Sequence, residues 1–212
     1  GGGTITAAED ASHSKRYAAV YAEKGTVNIN MQSGAAGTVR TNLTGDMYLT
    51  REYGQKTVEY SGGQLIAYDN KGILNAALTT ADSTWHGAAT YGIDKSDYGT
   101  GGFTAHDVGQ FNLWLQNGAA WTNEVMSSTA ASFAGSHLAA LHGGSDASHA
   151  GVIFQKDDKD ILVDNYSGNT TVLYTHDAAN PAAIQGGSLR INKAAAGSAV
   201  TLRTDSAGLN TE

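Results

Sequence analysis

The fold is decided by the stretch Lys159-Asp-Ile-Leu-Val-Asp-Asn-Tyr-Ser-Gly-Asn-Thr-Thr-Val-Leu-Tyr-Thr-His-Asp177. It reads as a strand, a tight corner and a second strand. Ile161 and Val163 fall on one side of an extended chain, and Thr170, Val172 and Tyr174 then resume the two-residue alternation. The corner between them, Asn165 to Asn169, is made of residues that tolerate positive φ or hydrogen-bond their own backbone.

The same theme recurs on both sides of this stretch. Upstream, Thr26 to Met31 places Val27, Ile29 and Met31 on one face, Ser33 to Gly37 is a corner of small residues, and Thr38 to Leu43 and Met47 to Thr50 follow. Thr57 to Tyr60 and Gln64 to Tyr68 flank Ser61-Gly62-Gly63, and Ile73 to Leu78 comes after another corner. Phe111 to Leu115, His137 to Leu141 and Gly151 to Gln155 precede the deciding stretch, while Gly187 to Asn192 and Ala199 to Arg203 close the chain as strands. Two segments resemble each other: Leu78 to Trp85 and Leu115 to Trp121 each run from Leu through a small-residue turn to Trp. The recurring unit is roughly 20 to 25 residues, in the period range of solenoids, whose units bury their apolar faces only by stacking on neighbours. The expectation is an all-β parallel β-helix, a β-solenoid with irregular loop excursions. A β-sandwich, the main rival, requires hairpin turns and fewer, longer strands.

Composition narrows the function classes. The formal charge is -7 and no basic stripe exists, which argues against a nucleic-acid partner. Charged residues make up 16% of the chain against a usual value of about 25%, and 27 glycines accompany a single proline. Cysteine is absent, so disulfides and thiolate metal sites are excluded. No run of 18 or more apolar residues is present to span a bilayer as a helix. Gly1-Gly-Gly-Thr-Ile-Thr6 begins in mid-pattern, and the chain is expected to be one β-helix segment over residues 1–212 of something longer, cut at both ends.

Four stretches carry a family resemblance: Gly25-Thr-Val-Asn-Ile-Asn30, Ser83-Thr-Trp-His-Gly-Ala88, Asn117-Gly-Ala-Ala-Trp-Thr122 and Leu162-Val-Asp-Asn-Tyr-Ser-Gly-Asn-Thr-Thr-Val-Leu-Tyr174. Together they resemble passenger segments of Gram-negative bacterial autotransporters, in which such motifs mark coils of a right-handed β-helix and not a site. The resemblance implies export across the outer membrane to the bacterial cell surface. It also implies adhesion, aggregation or biofilm formation as the role. The partners it implies are a host or bacterial cell-surface protein or glycan, or another copy of the chain. It further implies linkage to an outer-membrane translocator barrel, expected to lie outside this chain.

Candidate sites are few. Asp157, Asp158 and Asp160 share one turn, where Asp is favoured for local hydrogen bonding. His137, His142 and His149 have neither the i, i+4 spacing of a helical metal pair nor a His-Glu-x-x-His context. His106-Asp107 has the makings of a base and its orienting acid, but no Ser stands in a Gly-x-Ser-x-Gly elbow. Gly99-Thr-Gly-Gly102 lacks a following Lys-Ser/Thr, and Gly143-Gly-Ser-Asp146 stops short of a calcium-binding nonapeptide. Trp85, Trp114 and Trp121 read as fillers of the coils. The long excursion from Tyr91 to Gly109 holds the ligand-binding candidates Tyr91, Asp94, Asp97, Tyr98, Phe103 and Asp107, which have the chemistry to stack on a sugar or contact a protein. No catalytic residue, metal or cofactor is assigned. The expected function is non-enzymatic adhesion. The alternatives are a polysaccharide-processing β-helix, lyase or hydrolase, and a stalk that presents a distal domain.

Overall fold

The computed structural model describes residues 2–7, 18–22, 25–49, 57–61, 64–68, 72–91, 109–126, 135–156, 159–176 and 184–204. In chain order, β1 (Gly3–Thr6), β2 (Val20–Ala22) and β3 (Gly25–Ile29) lead into a small hairpin of β4 (Met31–Gln32) and β5 (Ala35–Ala36). Then come β6 (Thr41–Thr44), β7 (Met47–Leu49), a second hairpin of β8 (Thr57–Ser61) and β9 (Gln64–Tyr68), and β10 (Gly72–Leu78). β11 (Thr84–Gly87), β12 (Ala89–Tyr91), β13 (Gly109–Leu115), β14 (Ala120–Asn123) and β15 (Gly135–His142) follow. The last third holds a 3-10 turn (Ala147–His149), β16 (Gly151–Gln155), β17 (Asp160–Ser167), β18 (Asn169–His176), β19 (Ile184–Gln185), β20 (Leu189–Ala194) and β21 (Ala199–Thr204).

The protein is all-β with parallel sheets. One sheet runs β1-β6-β11-β14-β16-β18, with β21 also on β18; a second runs β20-β17-β15-β13-β10-β3; a short third runs β12-β7-β2. The chain visits these sheets cyclically. β1, β2 and β3 make one circuit, β6, β7 and β10 the next, and β11, β12 and β13 a third. Antiparallel pairing within the described residues is confined to the two hairpins, to β19 on the end of β18 and to two isolated bridges.

Register makes every circuit lay like on like. The inward column of the first sheet is Ile5, Leu43, Trp85, Trp121, Ile153, Val172 and Leu202. In the second sheet, Ile29, Ala76, Leu113, Leu141 and Tyr166 stack in turn. The two Leu-to-Trp segments that look alike in sequence are successive rungs, with Leu78 opposite Leu115 and Trp85 opposite Trp121. The indoles lie 4.8 Å apart with planes 5° from parallel, the spacing of paired strands. Phe111 meets Trp85 edge-on at 5.4 Å. Each indole N–H donates to the carbonyl of a glycine one circuit back, Trp85 to Gly45 at 3.1 Å and Trp121 to Gly87 at 2.9 Å. Gly87 has φ +153°, and a Cβ there would strike the Gly45 carbonyl, so only glycine lets these backbones close up.

Three expectations are corrected in detail. The corner of the deciding stretch is one residue, Gly168 at φ +80°, and not Asn165 to Asn169. The strand continues through Ser167 because the Tyr166 ring turns into the core, 3% exposed, and its hydroxyl donates to the Ala199 carbonyl at 2.7 Å. The circuit length is less uniform than 20 to 25 residues. From Val152 to its register partner Thr171 is 19 residues, whereas from Asn42 to its partner Thr84 is 42, because the β8–β9 hairpin is inserted there. Ser33 to Gly37 is not a plain corner either, since Met31–Gln32 and Ala35–Ala36 pair as a hairpin across it.

Polar residues also run between circuits. On the outer face Asn75 donates to Asn28 at 2.9 Å and Asn112 to Asn75 at 2.8 Å, an amide ladder that fixes parallel register. Inside, the Ala89 amide donates to Ser136 Oγ and Ser136 to Asn123, whose amide donates to Gln155. Gln155 ends the chain on the Lys159 and Gly187 carbonyls.

Replacing Trp121 with Ala removes a stacked, fully buried indole and is expected to cost about 3–5 kcal/mol. Trp121→Phe should recover only part of this, because the bond to Gly87 stays lost. Urea titrations of the three proteins by far-UV circular dichroism measure it.

Candidate functional site

The outer face is where the circuits differ, and most of its titratable pairs serve to join them. His137 on β15 meets Asp164 on β17 at 2.8 Å, with both side chains almost buried, and Asn192 on β20 donates to the other Asp164 oxygen at 2.9 Å. His86 and Lys156 both reach Glu124 Oε2, at 2.6 and 3.1 Å. Burial works to raise the Glu124 pKa, but these two hydrogen bonds and charges outweigh it and leave the carboxylate below its ordinary range. Asp160 accepts from the amide and hydroxyl of Ser188 and is held low by those bonds. These pairs are cross-braces between neighbouring circuits. No group of three or more metal-ligating side chains occurs among the described residues.

A cleft of about 660 Å³ lies where the second sheet hands the chain to the first. Its position follows from the register. Trp114, His142 and Ser167 are consecutive rungs of one outward column on β13, β15 and β17. Trp114 stacks on His142 with ring centroids 4.5 Å apart and planes 24° from parallel, and His142 Nδ1 lies 2.9 Å from Ser167 Oγ. These three side chains form one wall. The opposite side is cut away, because Gly143, Gly144, Gly168, Ala195, Ala196 and Gly197 put no bulk there. Gly143 and Gly144 are held to this by packing, since a Cβ on either would strike backbone, at Asn169 and His149 respectively.

The rim is polar and its amides are oriented. Gln116 donates to the Gly143 carbonyl at 2.9 Å and Asn117, itself at φ +53°, to the Thr79 carbonyl at 2.9 Å. Asn169 donates to the Gly144 carbonyl at 3.4 Å. Ser198 accepts from the Gly168 amide at 3.1 Å, leaving its hydroxyl proton to be given elsewhere. Nearby, Asp146 caps the 3-10 turn, accepting from the amides of Ser148 and His149 and from the Ser148 hydroxyl. That hydroxyl, and then His149, hold the Asp146 carboxyl far below its usual pKa. Burial pushes the His142 imidazole down, so it is neutral at pH 7.

Comparison with protein-family models, curated proteins and solved structures found no match for this chain.

The chemistry open to the cleft follows from its lining. Among the described residues the lining has no Asp, Glu, Lys or Arg, and so no pair of carboxylates of the kind that cleaves glycosides. Ser167 beside His142 has the outline of a nucleophile and its base, and four of the backbone amides around the cleft are already engaged. Gly143 and Gly144 donate to the Ser167 and Asn169 carbonyls, Gly168 to Ser198, and Asn169 to the Gly144 carbonyl. What remains is an aromatic wall with hydrogen-bonding groups around it, an arrangement suited to binding.

Of the residues expected from sequence to bind a ligand, Tyr91 ends strand β12, opposite Leu49 of β7. Asp94, Asp97, Tyr98, Phe103 and Asp107 lie outside the described residues, as do His106, Gly99 to Gly102, Asp157 and Asp158. Trp85 and Trp121 are fillers of the core, as the sequence reading has all three tryptophans; Trp114 faces outward and lines the cleft. The signal for the cleft was present in the two Gly-rich segments 143–144 and 168, but it shows only once the circuits are aligned.

Because its partners lower the Asp146 pKa, the stability it contributes is complete above the ordinary carboxylate value and is lost as the pH falls through the depressed one. Asp146→Ala should therefore lower the urea midpoint by a constant amount from neutral pH down to about pH 4, with the gap closing only in stronger acid. Denaturation of both proteins across that range tests this, and a gap that closes between pH 7 and 5 would contradict it.

Proposed function

We propose that the parallel sheets wind as a right-handed β-solenoid, and that this segment acts at a bacterial cell surface by binding and not by catalysis, in adhesion or aggregation. The winding rests on the recurring visit of the chain to the same sheets in the same order, and its hand on the strong preference of parallel crossovers for the right-handed path. The surface role rests on the passenger-like segments, which fall on stacked rungs: Trp85 and Trp121 in one column, and the deciding stretch around Gly168.

The observation that carries the binding reading is the cleft beside Trp114 and His142, an aromatic and amide-lined recess with no Asp, Glu, Lys or Arg among its described lining residues. Affinity at a cell surface then comes from many weak contacts made together, since linked sites convert later binding events into intramolecular ones. Presentation of a distal domain is compatible with the same scaffold, but it leaves the cleft without a role.

Beads coated with the purified protein should adhere to cultured epithelial cells or to bacterial cells, or clump with one another, well above beads coated with an inert protein of similar charge. Absence of all three would defeat the adhesive reading. In parallel, incubation with neutral and acidic polysaccharides should release no reducing ends and no unsaturated products; their appearance would favour the lyase or hydrolase alternative.

A further inference from the structure

The cleft has features that specify a ligand class. Its size is within the range of small-molecule sites, roughly 300–1,000 Å³. One wall is a pair of stacked rings, Trp114 and His142. The rim amides of Gln116, Asn117 and Asn169 spend an N–H on backbone carbonyls of the chain, and no hydrogen bond among the described residues engages their side-chain carbonyl oxygens. Each rim amide therefore keeps its carbonyl oxygen and one N–H for a partner, with the Ser198 hydroxyl added as a donor. A ligand that matches must carry several hydroxyls, able both to donate and to accept, around a compact body with an apolar face. A pyranose has this form, with C–H groups on its face and hydroxyls at its edge.

Charge selects further. No Lys or Arg lines the cleft among the described residues to pair with a carboxylate or sulfate, and the chain as a whole carries -7. An acidic sugar would be desolvated there without a counter-ion.

We propose that this cleft binds an uncharged glycan, with a sugar ring packed on the Trp114–His142 wall and its hydroxyls donating to the amide oxygens of Gln116, Asn117 and Asn169. This deepens the adhesive reading and rests on it for its biological setting, though the binding itself does not need it. The small residues on the opposite side then have a reason: a side chain at Ala196 would occupy the place of the sugar.

The three tryptophans give the test its specificity. Trp85 and Trp121 are 1% and 0% exposed, whereas Trp114 is half-buried at the cleft, so a ligand there changes the emission of one indole. Intact protein is titrated with neutral oligosaccharides of glucose, galactose, mannose and N-acetylglucosamine, and with sialylated and uronic-acid oligosaccharides. The expected result is a saturating Trp emission change with at least one neutral member. The acidic members should bind at least tenfold more weakly. Trp114→Ala and Ala196→Leu, assayed by calorimetry, should each weaken binding at least tenfold while circular dichroism and the urea midpoint report that the fold is kept. Should Trp114→Ala fail to fold, Ala196→Leu carries the test alone, because Ala196 is exposed and is not a member of the hydrophobic core. No saturation with any neutral sugar, preference for acidic ones, or binding indifferent to Ala196→Leu would overturn the proposal. Beads that adhere equally well when coated with Ala196→Leu protein would show that adhesion lies elsewhere; sugar binding by a protein whose beads do not adhere would remove the adhesive reading and leave the cleft assignment standing.

Discussion

A circuit of this chain does not bury its own apolar side chains; the next circuit buries them. The first sheet shows this within one column. Val172 is fully buried because Leu202 lies on it, and Leu202, in the same inward register with no described circuit beyond, is 64% exposed. Burial is therefore a property of neighbouring circuits. Everything else in the structure serves to keep successive circuits at strand spacing and in register.

Register is enforced by chemistry that works only at that spacing. The Trp85–Trp121 stack requires the planes to be one strand apart, and each indole is pinned by its bond to a glycine carbonyl one circuit back. A slip of one residue would turn the whole column outward. Asn28, Asn75 and Asn112 do the same on the outside, where a slip would replace an amide ladder with unmatched neighbours. Asp46 is the costliest of these devices. It is fully buried, and it accepts from the amides of Ala88 and Met126, which belong to the next two circuits. A carboxylate is worth burying only when such donors are fixed around it. Those donors come from chain 42 and 80 residues away, so the acid locks three circuits together.

The parallel, all-β character was legible in the sequence because strand alternation and corner residues are local signals. Ile161, Val163 and Val172 point inward as alternation requires, and the Leu78–Trp85 and Leu115–Trp121 likeness is the likeness of stacked rungs. Alternation fails where the backbone bends. Val163 and Tyr166 are both buried with Asn165 exposed between them, and the register of β17 against both β15 and β20 skips Asp164. No local pattern announces that bend, so Tyr166 read as part of a corner. The cleft was illegible for a different reason. Trp114, His142 and Ser167 are separated by 28 and then 25 residues, unequal intervals set by insertions elsewhere in each circuit. Only the pairing of strands reveals that they share a column.

This division of labour explains why stability and recognition can vary separately in the molecule. Inward columns are constrained from both sides, so their residues are apolar from one circuit to the next, and the two largest, Trp85 and Trp121, occur as a stacked pair. Outward positions near the corners have a neighbour above and below but none in front. There, deletion of side chains at Gly143, Gly144, Gly168 and Gly197 costs the core nothing and opens a recess against the one outward tryptophan. A site made in this way is shaped by which residues are small as much as by which are polar. Its floor is backbone, fixed by the same parallel pairing that holds the circuits together, so the cleft is pre-formed as rigidly as the sheets that frame it.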